Sequence, residues 1–182
     1  MSRQNGRGQS YPFLPDKHVL FLCVDDWTDG IPSGRILNAC FADEVSFTGF
    51  GDMLLTIEQL CDRLNLTQSC MQLRHGPNRK NHLDNKTEWN DVRHAETPTG
   101  ASDALFSRFG HARVFPVRIQ YRMHATWQGV VQLHNEAVPF RSALELLGLL
   151  DDALWAQEKT DKRIFDHAKA QTGGEEPAEK TE

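Results

Sequence analysis

The sequence has little that marks a membrane protein, a disulfide scaffold or a catalyst. No apolar run approaches the roughly 20 residues that cross a bilayer. The start, Met1–Ser10, is polar and has no apolar core of a secretory signal. Cysteine is sparse: Cys23, Cys40, Cys61 and Cys70 form no Cys-x-x-Cys pair, and two of them sit inside apolar patterns. That usage predicts reduced thiols in a cytosol. There is no Gly-x-Ser-x-Gly elbow, no phosphate-binding loop and no Gly-x-Gly-x-x-Gly turn. Neither a catalytic site nor a cofactor is expected.

Hydrophobic residues make up 39% of the 182, which is low for a packed globule and predicts polar segments beside a core. The net charge of −5 is uneven. Met71–Arg122 holds nine Lys/Arg (Arg74, Arg79, Lys80, Lys86, Arg93, Arg108, Arg113, Arg118, Arg122) against five acids, a local +4 that leaves −9 elsewhere. Such asymmetry can mark an anionic partner, although a basic solvated loop produces it equally well.

The strongest pattern is a repeat. In Phe140–Leu154, residues Phe140, Ala143, Leu144, Leu147, Leu150 and Leu154 recur at helical spacing, and Ser142 with Glu145 reads as a capping box. Phe50–Leu64 lays Phe50, Met53, Leu54, Ile57, Leu60 and Leu64 on the same positions, with Asp52 in the place of Ser142. Each helix follows two short apolar segments. Lys17–Val24 and Arg35–Phe41 flank a turn-rich Asp25–Gly34, and Val114–Met123 and Val130–Leu133 flank a Trp127-Gln128-Gly129 turn. Trp27 and Trp127 stand in comparable places before the second strand. One ββα unit is too small to bury its own apolar face, so the two are expected to pair.

The expectation is therefore an α+β fold of two ββα repeats, with a four-stranded antiparallel sheet and both helices on one face. A mobile arm (1–16) precedes the first unit (17–65), and a polar basic insertion (66–112), with a short helix near Ala101–Phe109, precedes the second (113–156). The charged tail (157–182) extends the helix and ends in disorder.

Three constellations can be weighed for chemistry. Asp25, Asp26 and Asp29 crowd the first hairpin and suit a hard cation such as magnesium, which would make a metal-dependent nuclease; turns use Asp for backbone hydrogen bonds just as readily. Cys70, His75, His82 and His94 fit no zinc spacing. No metal is expected. The better surface is the strand carrying Arg118 and Arg122 together with Arg74, Arg79, Lys80 and Arg93. Arginine offers paired contacts to phosphate or carboxylate there, and Trp89 and Trp127 offer apolar anchors. An alternating strand needs a polar face in any case.

The second repeat resembles the C-terminal signature of a family of small proteins from gut Firmicutes and their mobile elements. In that signature a strand, a Trp-Gln-Gly turn and a second strand lead to Phe-Arg-Ser and a Leu-rich helix. Trp127-Gln128-Gly129 and Phe140-Arg141-Ser142 carry the match, over about a fifth of the chain. The resemblance links the chain with anti-CRISPR proteins that inhibit the type II effector nuclease. It implies a cytoplasmic inhibitor in a bacterial host with that nuclease as partner, in contact with DNA or guide RNA through the basic insertion. It assigns no functional residue. The alternative is a DNA- or RNA-binding regulator of a mobile element. Two exposed apolar helix faces could also pair in a homodimer.

Overall fold

The computed structural model describes residues 16–66, 101–123 and 126–172. Strand β1, Val19–Thr28, is its centre. Val19 to Val24 are all apolar and buried, with side chains alternating between the two sheet faces, so this strand is covered on both sides. Asp29 and Gly30, at φ 53° and 77°, form a two-residue turn into β2, Ile31–Asn38. The Asp-Gly pair supplies the left-handed conformations that a tight hairpin needs. The hairpin is thus longer and tighter than the sequence suggests, and Trp27 lies inside β1.

The expected ββα unit is in fact βββα. Phe41–Thr48 is a third strand, β3, before α1 (Gly49–Arg63). In the second unit, β4 (Arg113–Tyr121) and β5 (Gln128–Leu133) are followed by β6, Glu136–Phe140, before α3 (Ala143–Thr172). The sheet has six antiparallel strands in the order β3-β2-β1-β4-β5-β6, which corrects the expected four. The two added strands are its edges. Asp43 and Glu44 in β3 and Pro139 in β6 weaken strand propensity there, and edge positions tolerate such residues. Inward-facing Val45 and Phe47, and Phe140 in the second unit, seat them.

The units join where β1 pairs with β4, Val19 opposite Arg118 through Val24 opposite Arg113. The antiparallel joint relates the halves by an approximate two-fold. Gly34 and Gly129 hold matching places: a Cβ on Gly34 would lie 2.0 Å from the Cys23 carbonyl oxygen, and one on Gly129 2.1 Å from that of Arg118. Phe47 opposite Gly34 matches Phe140 opposite Gly129.

These matches shift the helices by three residues from the alignment that the sequence suggests, so Met53 corresponds to Leu146 rather than to Ala143. Leu146, Leu150, Ala153 and Leu154 form the buried stripe of α3, and Leu144, expected inside, is 78% exposed. The capping of α3 is as expected on one side: Glu145 N donates to Ser142 Oγ at 3.1 Å. The Glu145 carboxylate accepts from Arg141 N at 2.7 Å, and Asp52 accepts from Thr48 N at 2.9 Å. Asp52 is therefore the counterpart of Glu145, not of Ser142.

Helix α1 covers β2 and β3, and α3 covers β5 and β6, both on one face. On the opposite face α2, Ala101–Ser107, sets Leu105 and Phe109 against Val19, Phe21, Cys23 and Leu37, with the Phe21 and Phe109 rings 5.3 Å apart. The end of the expected insertion is thus part of a second core. Residues 67–100, and with them most of that insertion, lie outside the described residues, as do 1–15 of the arm and 173–182 of the tail. Among the described residues no helix is long and apolar enough to cross a membrane.

Burial pushes the Cys23 and Cys61 thiols up to about 12, against a smaller downward pull from Arg35 and Arg122 respectively. The folded state therefore holds these protons more tightly than the unfolded chain does. Their contribution is intact below the ordinary thiol range and is lost as pH rises towards about 12. Urea unfolding followed from neutral pH into this alkaline interval is expected to lose stability less steeply in Cys23→Ala and Cys61→Ala than in the unaltered chain. Gly34→Ala and Gly129→Ala each force a backbone shift and are expected to cost at least about 2–3 kcal/mol by the same measurement; an unchanged midpoint would show that the strands relax freely there.

Candidate interaction site

Arg122 owes its position to a bulge. The register between β4 and β5 slips between Ile119 and Tyr121, which turns the end of the strand over. Strict alternation from Val117 and Ile119 would put Tyr121 and Met123 inside and Arg122 outside; instead Tyr121 and Met123 are 58% and 44% exposed and Arg122 is 4% exposed. Its guanidinium donates to Glu58 and, at 2.6 Å, to Asp62, one turn further along α1. Trp127 Nε1 donates to the other Glu58 oxygen at 2.6 Å. Burial works against the charge of Arg122, and the two carboxylates more than offset it, holding its pKa above the ordinary arginine value. Arg122 and Trp127 thus tie the second unit to the helix of the first. That corrects their expected role as an outward partner surface.

Arg118 is half-buried and donates to Asp16 Oδ2 at 2.8 Å, pinning the chain just before β1. Arg74, Arg79, Lys80 and Arg93, with Trp89, Cys70, His75, His82 and His94, lie outside the described residues. Asp25 accepts from Arg35 at 2.9 Å, Arg35 also reaches Glu44 at 3.0 Å, and Arg108 approaches Glu44 at 3.5 Å. Hydrogen bonding to Asp25 leads the effects that hold the Arg35 pKa above its ordinary value. Asp26 accepts from the Thr28 hydroxyl, and Asp29 occupies the turn. The three aspartates of the hairpin are therefore engaged in its own structure. Among the described residues no three carboxylate, thiol or imidazole groups converge as metal ligands would.

The two-fold places Trp27 where Arg122 stands in the other half, and its contacts mirror those of Arg122 with different chemistry. Trp27 meets Phe50 at the start of its own unit's helix, centroids 5.9 Å apart, and crosses to Trp155 of α3 at 5.8 Å and 89°. Among the described residues no acceptor meets its enclosed Nε1. Trp155 is 43% exposed, so at this end of the helix layer the ring that meets Trp27 opens apolar surface to solvent. Sequence reading missed Trp155 because it lies beyond the last leucine of the repeat. The signal was available: it falls four residues after Asp151, on the same helical stripe.

The surface of the helix layer is acidic. Residues 49–64 and 143–158 carry Asp52, Glu58, Asp62, Glu145, Asp151, Asp152 and Glu158, with Arg63 as the single opposing charge. No protein-family model, curated protein or solved structure matches the chain.

Arg122→Ala would leave Glu58 partly buried without its cation. It is expected to cost about 3 kcal/mol in urea unfolding, at the low end for a broken buried pair because Asp62 is half-exposed. An Arg122 serving only as an outer contact would show almost no loss.

Proposed function

We propose that the chain is a non-catalytic binding protein that inhibits a type II RNA-guided DNA nuclease by occupying one of its basic nucleic-acid surfaces. The observation that carries this reading is the acidic helix layer. Over residues 49–64 and 143–158 the two helices carry seven carboxylates. Glu58 and Asp62 turn to Arg122 and Glu145 to Arg141, while Asp52, Asp151, Asp152 and Glu158 add negative charge to a two-helix layer backed by a six-stranded sheet. Such nucleases hold their heteroduplex in a positively charged channel and read the flanking motif with arginines, so a dense array of carboxylates is a competitor for either surface. The Trp-Gln-Gly and Phe-Arg-Ser resemblance points to the same class of partner. The reading implies a cytoplasmic site of action in the bacterial host.

Direct nucleic-acid binding by the strand arginines has less to support it. Arg118 and Arg122 are already paired with Asp16, and with Glu58 and Asp62. That alternative would rest on Arg74, Arg79, Lys80 and Arg93.

The test is plasmid cleavage by a type II nuclease, with the purified protein added before guide loading, before target addition, or after it. Inhibition is expected when the protein precedes the target, weakening as salt is raised. Undiminished cleavage in every order of addition, together with no retention of the nuclease in a pull-down with or without guide RNA, would overturn the proposal.

A further inference from the structure

We infer that the patch formed by Trp27, Phe50 and Trp155 is the docking site for a basic, amphipathic segment of a protein partner. The inference deepens the reading above and takes from it the identity of the partner; the chemistry of the surface stands on its own. Elsewhere the helix layer is closed over the sheet, with Leu146, Leu150 and Leu154 at most 2% exposed. Here it opens. Trp155 presents apolar surface, and Trp27 and Phe50 form its half-buried aromatic base. Rigid aromatic rings that are partly desolvated before binding are the usual anchors of protein interfaces.

The rim selects the occupant. Asp151 and Asp152 lie one turn before Trp155 on α3, and Asp29 sits in the turn that follows Trp27 and Thr28. Lys159, one turn beyond, is the opposing charge on that stripe. A nucleic-acid backbone would be repelled by this rim, and a second copy of the chain would bring the same carboxylates against it. A segment with leucine-like anchors and flanking lysines or arginines satisfies both parts. A guanidinium placed over the exposed Trp155 ring would gain from the ring face and from Asp151 together.

The probe is a synthetic amphipathic peptide of leucine, lysine and arginine, titrated into the full chain and followed by tryptophan fluorescence and calorimetry. A counterpart with glutamate for every basic residue serves as its control. Salt-sensitive binding of the basic peptide alone is expected. Trp155→Ala should weaken it about tenfold, as for an aromatic anchor, and Asp151→Asn with Asp152→Asn should weaken it and flatten its salt dependence. Leu144→Ala, which alters an exposed side chain at the opposite end of the packed part of α3, should leave it unchanged. Circular dichroism checks that each variant is folded. Equal binding of the acidic peptide, no binding of the basic one, unaltered affinity in Trp155→Ala, or self-association abolished by that substitution would overturn the inference. Retention of the type II nuclease that Trp155→Ala does not diminish would also overturn it while leaving the proposed function standing. Peptide docking at the patch by a chain that neither binds nor inhibits the nuclease would do the reverse.

Discussion

The antiparallel pairing of β1 with β4 is the constraint from which the rest of this structure follows. β1 is apolar on both faces, so it cannot lie at an edge, and it needs cover above and below. Pairing with β4 provides the missing edge and brings the second unit beside the first. The two helices then cover one face, and α2 covers the other around Phe21 and Cys23. Backbone approach at Gly34 and Gly129 allows each hairpin to lie close to its central strand. A protein of this length gains from the arrangement because two small units share one core.

The approximate symmetry makes its departures informative. At one end of the joint the crossing contact is ionic, from Arg122 to Glu58 and Asp62, and it is sealed by Trp127. At the other end the crossing contact is aromatic, from Trp27 to Trp155, and it stays partly open. The first satisfies charge internally and so fixes how the halves sit. The second leaves apolar surface beside carboxylates, a combination with more to gain from a partner than from water.

Much of this was legible in the chain. The α+β class, the two long helices, the strands β1, β2, β4 and β5 and the short helix near Ala101 follow from periodicity and turn residues, whereas the two-strand make-up of each unit does not hold. Two kinds of feature were not. Edge strands such as Phe41–Thr48 and Glu136–Phe140 carry acids or proline, because an edge needs less from each residue than a central strand does, and so they read as connectors. The bulge before Tyr121 leaves the alternating pattern intact while reversing which residues face inward, so Arg122 and Tyr121 exchange the roles that strict alternation assigns them. The helix alignment erred by three residues for a related reason: a leucine-rich segment fits several helical faces, and only the pairing of Phe47 and Phe140 with their glycines fixes which one is used.

The joint also sets an order of events during synthesis. Val19 and its neighbours in β1 leave the ribosome well before Arg113–Arg118, the strand that will cover their open edge. Until β4 arrives, the first unit exposes an apolar strand edge able to pair with another nascent chain. Closing so long a loop is a slow step, whereas its entropic cost grows by only about 0.6 kcal/mol for each doubling of the connection. The intervening segment can therefore vary in length at little thermodynamic cost. What its length does govern is how long the most aggregation-prone edge of the molecule waits for its partner.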